Sequence, residues 1–215
     1  MSGRGFILGA ACLLRTEAAL VLEVQKPHKW VYGARDAVRI GVGCIGGGLR
    51  PGEHPVDALQ RECVEEIGCG AHLRSARMTL DVGPDGTVVE CPWTGEEAHP
   101  ALLWEGTGPD SLPGGKVAVY LGEATGRPQP RDLPALLLVD ASLLWALGDQ
   151  TLSLGAALDA GAGLRTGRPL PPHGVLELVG TLAVLTRLRR THAAFVDQVM
   201  DQVFATEAQG DGHQH

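Results

Sequence analysis

Apolar residues alternate with polar ones, or run on in short blocks, through the first two thirds of the chain. Residues 6–14 (FILGAACLL) and 18–25 (AALVLEVQ) predict two β-strands joined as a hairpin around Arg15-Thr16-Glu17. Residues 26–37 are polar and mixed and predict a loop. Residues 38–45 (VRIGVGCI) predict a third strand running into Gly46-Gly47-Gly48. A loop through Pro51-Gly52-Glu53 precedes a helical pattern from His54 to Ile67, with Pro55 in its first turn and Gly68 as its stop. Residues 71–82 and 86–91 predict a strand pair about Pro84-Asp85-Gly86. Strands are also expected at 101–105 and 116–122, and Leu136 to Asp140 either ends the sheet or leads into a helix at 141–147.

The last third reads differently. Residues 161–174 are rich in Gly and Pro and predict a linker. Residues 175–205 carry apolar positions at Leu178, Leu182, Leu185, Val196, Val199 and Val203, which predicts one long helix or two shorter ones. The division expected is a domain over 1–150, a helical extension over 151–208 packing on it or on a partner, and a flexible tail at 209–215.

Composition narrows the class. A hydrophobic fraction of 44% supports a real core, and with aromatics at only 4% that core must come from Leu, Val, Ile and Ala. A formal net charge of −7 disfavours non-specific nucleic-acid binding, because an acidic surface repels phosphate backbones. It does not disfavour a small anionic substrate where a bound divalent cation reverses the local field. The five cysteines, Cys12, Cys44, Cys63, Cys69 and Cys91, form no CxxC pair and read as reduced thiols of a cytoplasmic protein. The run Phe6–Leu14 reads as a first strand rather than a secretory signal, and nothing approaches a membrane span.

Residues 47–69 (GGLRPGEHPVDALQRECVEEIGC) concentrate the chemistry. Helical residues three and four apart share a face, so Glu62, Glu65 and Glu66 project together beside an apolar stripe of Val56, Leu59, Cys63 and Ile67. Carboxylates so close repel one another. A hard divalent cation, which takes several anionic oxygens at once, resolves that conflict; a solvated acidic face with an arginine partner is the other reading of the same residues.

The spacing is Gly47, five residues, Glu53, seven residues, then Arg61-Glu62-Cys63-Val64-Glu65-Glu66-Ile67-Gly68-Cys69. It resembles the Nudix box, matching it at every fixed polar and glycine position and departing only where Cys63 and Cys69 replace aliphatic residues. The resemblance implies the α/β Nudix fold, a mixed β-sheet sandwiched between helices (α/β/α), here with a C-terminal helical extension. It also implies Mg²⁺ or Mn²⁺ as cofactor, held by Glu62, Glu66 and Glu65 with a backbone carbonyl near Gly47. Arg61 then orients glutamates, and Glu53 orders the loop before the helix or meets a second metal. The implied reaction is water attack on a diphosphate phosphorus, with Glu62 as the in-box general base and Glu90, Glu96, Glu97, Glu105 or Glu123 as later candidates.

Specificity must come from outside the box. Trp30, Tyr32, Trp93 and Trp104 are candidates for stacking on a base, and Lys29, Arg35 and Arg39 for meeting phosphate; Glu97 sits in a loop-like stretch. Pro84, sixteen residues after Gly68, is the one hint of ADP-ribose. The substrate expected is a nucleoside diphosphate-X such as ADP-ribose or a nucleotide sugar. A (d)NTP pyrophosphohydrolase and a non-catalytic ligand-sensing module are the alternatives. A homodimer through the tail helices is compatible with their amphipathic pattern.

Overall fold

A computed structural model describes residues 6–17, 19–34, 37–93, 97–106 and 112–205. The first strand β1 (Phe6–Thr16) turns through Glu17, at φ 48°, into β2 (Ala19–Val24). Among the described residues, the expected loop holds a 3-10 turn at Pro27–Lys29 and a two-residue strand β3 (Val31–Tyr32). Strand β4 (Val38–Gly48) is longer than the alternation indicates, because all three glycines of the turn continue it. Helix α1 spans Pro55–Ile67. The stretch 71–82, read as one strand, splits into β5 (Ala71–Arg74), which pairs with a later strand, and β6 (Leu80–Val82), which forms a hairpin with β7 (Val88–Glu90). Then come β8 (Leu102–Glu105), β9 (Gly115–Ala124), β10 (Ala135–Val139) and α2 (Ala141–Asp149).

The last third departs most from expectation. After α3 (Leu154–Asp159), residues expected to be linker form β11 (Gly163–Thr166), which adds antiparallel to β10. The start of the expected helix is a strand, β12 (Val175–Leu178), running parallel to β4 from Val175 opposite Arg39 to Leu178 opposite Val42. A four-residue apolar run has too few turns for its period to separate strand from helix. Gly180, at φ 55°, ends it and opens α4 (Thr181–Thr191), and His192 alone divides that helix from α5 (Ala193–Phe204).

Among the described residues all twelve strands join one mixed sheet, whose main path is β11-β10-β2-β4-β1-β9-β8-β6-β7. Strand alternation gives it two apolar faces. Ala10, Cys12 and Leu14 of β1 pack with Leu59, Cys63 and Ile67 of α1. Ala11 and Leu13 belong to the opposite core, with Leu143, Leu144 and Leu147 of α2, Leu182 and Leu185 of α4, and Val196, Val199 and Val203 of α5. The sheet is thus sandwiched between α1 on one side and α2, α4 and α5 on the other. No helix among the described residues is long and apolar enough to cross a membrane.

Two arginines tie the C-terminal helix to the sheet. Arg74 donates to the carbonyls of Val203 (2.9 Å) and Ala205 (3.0 Å), and Arg15, itself held by Glu123 at 2.6 Å, reaches the carbonyl of Phe204 at 3.5 Å. These carbonyls lie at the negative end of the α5 dipole, where a cation satisfies acceptors that the helix leaves open. Replacing Arg74 with Ala is expected to remove about 1–2 kcal/mol. Hydrogen exchange should speed up across 193–204, and the melting temperature should fall by about 2–8 °C, at about 2–4 °C per kcal/mol for a chain of this size.

Candidate active site

The site is built where α1 meets the end of β4. Pro55 opens the helix with its φ already helical, and Gly68 closes it in the left-handed conformation at φ 72°, its N–H bonding back to Val64. Between them Ala58, Leu59, Cys63 and Ile67 are fully buried against the sheet. Complete burial of Leu59 and Ile67 contributes roughly 1.5–3 kcal/mol each. That packing fixes the rotation of the helix about its axis. It turns Glu62 and Glu66, one turn apart, toward the glycines of β4.

The glycines make room for them. A Cβ on Gly47 would stand 2.4 Å from Glu62 Oε1, and one on Gly46 would stand 2.2 Å from the carbonyl oxygen of Ala10 in the neighbouring strand. Gly46 also takes φ 150°, which side-chain-bearing residues rarely adopt. The box therefore needs glycine at 46 for backbone closeness and at 47 to leave a berth for a carboxylate.

Glu66 is more than nine-tenths buried, and its one hydrogen bond is a long one, 3.3 Å from the Gly46 N–H. Burial first, then the charges of Glu23 and Glu62, push its carboxyl up to about 8, against the partial relief given by that N–H. Glu53 moves the other way. Arg61 grips it with two parallel hydrogen bonds (2.8 and 2.9 Å), the Arg50 N–H adds a third at 2.7 Å, and these hold its carboxyl down at about 2.

Arg61 is the hub of the loop–helix unit. Beyond Glu53 it donates to Glu62 Oε1 at 2.5 Å and to the Gly48 carbonyl at 3.0 Å. Glu65 lies apart from the other two box glutamates, half-exposed between Arg50 (3.1 Å) and a long contact to Arg61 (3.4 Å). Among the described residues no three His, Cys, Asp or Glu side chains are drawn close enough together to hold a metal ion as they stand. The donors nonetheless suit a hard cation: carboxylate oxygens of Glu62 and Glu66, one of them buried with a single long hydrogen bond, beside a backbone that leaves a berth. For Glu62 to serve, it must exchange Arg61 for the ion.

The candidates from outside the box are scattered. Glu97 meets the start of α1, its Oε2 2.8 Å from His54 Nδ1. That nitrogen also lies 3.4 Å from the Val56 N–H, and it can donate to the first or accept from the second, not both. Trp104 lines a cleft of about 310 Å³ that also touches Glu23, Gln25, Gly43, Gly46–Gly48 and Val179–Thr181; its indole N–H is held by Thr181 Oγ1 at 3.1 Å. Trp30 donates to the Gln25 carbonyl at 2.6 Å and packs on the core. Arg39 is exposed and lines a second cleft, of about 620 Å³, with Val175–Leu178 and residues of α2 and α4. Glu105 accepts from the Gly114 N–H and Glu123 pairs with Arg15, while Glu90 is exposed on β7. Pro84 forms part of the β6–β7 turn closed by Gly86 N–H to the Gly83 carbonyl. Arg35 and Glu96 lie outside the described residues, as does the tail at 209–215.

One residue at the site was passed over in the sequence. Glu23 of β2 stands opposite Gly43 of β4, and a Cβ on that glycine would lie 2.8 Å from its Oε1. The sequence ALVLEV sets a carboxylate at an alternate position of an otherwise apolar strand, but only the pairing of β2 with β4 brings it to a glycine.

No protein-family model matches this chain, and no curated protein matches it. Solved structures do resemble it. A NUDIX family hydrolase from Clostridium perfringens is 16% identical, with 69% of this chain and 87% of that one covered and a TM-score of 0.39. An ADP-ribose pyrophosphatase from Streptococcus suis is 10% identical over 93% of this chain and 92% of that one, with a TM-score of 0.35. A NUDIX hydrolase from Nitrosomonas europaea is 11% identical with a TM-score of 0.37; the match takes 66% of this chain and 61% of that one, less than two thirds of its length.

The Glu66 environment sets a pH dependence. A carboxyl raised in the folded state binds its proton there more tightly than in the unfolded chain, so stability falls as pH rises from the unfolded value near 4.3 to about 8, then levels. Without metal, denaturation midpoints should decline over that window, and Glu66→Gln should flatten the decline and raise the midpoint at pH 8.

Proposed function

We propose that this chain is a Nudix-type hydrolase that cleaves a diphosphate linkage in a nucleoside diphosphate-X or related nucleotide by attack of water on phosphorus. The observation that carries the reading is the meeting of the box with its glycine turn. A spacing legible in the sequence folds so that Glu62 and Glu66 face Gly46 and Gly47, with Arg61 bracing Glu53, Glu62 and the Gly48 carbonyl.

Glu62 and Glu66, with a carbonyl near Gly47, are the groups that would hold Mg²⁺ or Mn²⁺, and Glu65, turned to Arg50 at the surface, would reach the ion only through water. When bound, such a cation neutralises diphosphate oxygens and acidifies water. The chain's own residues do the rest. Arg61 fixes the loop through Glu53 and keeps Glu62 in place until its carboxylate is needed. The general base is a carboxylate at the edge of this site: Glu62 from within the box, or Glu97, held beside the first turn of α1 by His54. Residues 1–150 carry this chemistry on our reading, and 151–208 help bound the cleft through Val179–Thr181. Trp104, on the cleft wall, is the aromatic best disposed to meet a base or sugar. A substrate of the ADP-ribose or nucleotide-sugar type fits the reading.

The test is turnover. Incubation with Mg²⁺ or Mn²⁺ and a panel of ADP-ribose, NADH, nucleotide sugars, dinucleoside polyphosphates and (d)NTPs should yield phosphate-bearing products from at least one. Glu62→Gln and Glu66→Gln should each lower kcat/KM by at least about 100-fold, the scale of losing a general base or a charge-stabilising group. Ligand binding without turnover under any metal would replace this reading with the sensing module.

A further inference from the structure

We propose that Glu23, on strand β2 and outside the box, supplies a carboxylate of the cation site, so that the ion is gripped from the sheet by Glu23 and from the helix by Glu62 and Glu66. The inference rests on the reading of this site as a metal-dependent hydrolase centre, and it exchanges Glu65 for a residue that the motif does not contain.

Three observations carry it. The first is the floor of the site. Position 43 of β4 is glycine, as are 41 and 47, and the bare backbone at 43 and 47 is covered by the carboxylates of Glu23 and Glu62 respectively. Gln25 lies in the same way over Gly41. Glu23 thus occupies the kind of berth that Glu62 does, two alternate positions back along the same strand and on the same face. The second is charge. Glu23 and Glu62 both act on Glu66, and Glu62 acts on Glu23, so the three form one anionic set at the glycine turn. Lys29 and Lys26 give Glu23 partial relief, and Lys26 is itself engaged with Asp132. The third is direction. Glu65 is turned away from the glycines toward Arg50 and is half-exposed, whereas Glu23 opens on the cleft that also touches Gly46, Gly47 and Gly48. Buried like charges around a carboxylate as enclosed as Glu66 are costly unless something cationic joins them. A divalent ion between strand and helix meets that need with hard oxygen donors.

Mn²⁺ itself is the probe, measured by calorimetry or by the loss of its free EPR signal, on the full chain without substrate. Glu62→Gln and Glu66→Gln should weaken Mn²⁺ binding at least tenfold, Glu23→Gln should do the same, and Glu65→Gln should change it less than threefold. Melting of the metal-free variants separates ligation from folding. Glu23→Gln removes a like charge, so its metal-free melting temperature should stay level or rise while the rise produced by Mn²⁺ is lost. Wild-type Mn²⁺ affinity in Glu23→Gln, with Glu62→Gln and Glu66→Gln defective, would overturn the role of Glu23 and leave the hydrolase reading standing. Wild-type affinity in all three would overturn both. A Glu23→Gln protein that melts several degrees lower without metal, yet gains the full Mn²⁺ stabilisation, would make Glu23 a structural residue only.

Discussion

The site turns on one constraint: a carboxylate more than nine-tenths buried, Glu66, lies against a strand whose backbone has been stripped of side chains to admit it and its neighbours. Desolvation of a charged group is among the larger penalties a fold can carry, and one long hydrogen bond from Gly46 does not offset it. The arrangement persists because the apolar side of α1, through Leu59, Cys63 and Ile67, is locked to the sheet, and Glu66 is carried in on the same helix face. Packing energy is thus used to hold acids where they would not gather alone. Arg61 manages the excess charge, engaging Glu53, Glu62 and the Gly48 carbonyl together.

Most of this was legible in the sequence because it is local. A glycine turn, a loop, a proline-started helix and a glycine stop occupy consecutive residues, and the 3.6-residue period sets which glutamates share a face. Period also misleads on its own. It groups Glu65 with Glu62 and Glu66, but the helix is rotated by its apolar contacts so that Glu65 meets Arg50 at the surface. Glu23 escaped notice for a different reason. Its place beside the box depends on the pairing of β2 with β4, Glu23 opposite Gly43, and strand register is a long-range property that a single strand pattern does not carry.

The same distinction explains the last third of the chain. Helices α4 and α5 were visible in their apolar spacing, but β11 and β12 were not. Gly163-Leu164-Arg165-Thr166 and Val175–Leu178 are too short for their own periodicity to identify them, and they become strands by completing hydrogen bonds offered by β10 and β4. The consequence reaches the site. Because β12 lies along Val38–Gly48, Val179 to Thr181 and Trp104 close over a cleft that runs to the glycine turn. Residues far from the box in sequence therefore wall the space next to it.

The central claim is that strand and helix together form a cation-binding cradle at Gly46 and Gly47. Anomalous diffraction from crystals soaked in Mn²⁺ measures this most directly. The account predicts a peak in direct coordination with the carboxylates of Glu62 and Glu66, with Arg61 released from Glu62. No peak at the turn, with Glu62 still bound to Arg61 and Glu66 to the Gly46 N–H, would contradict it.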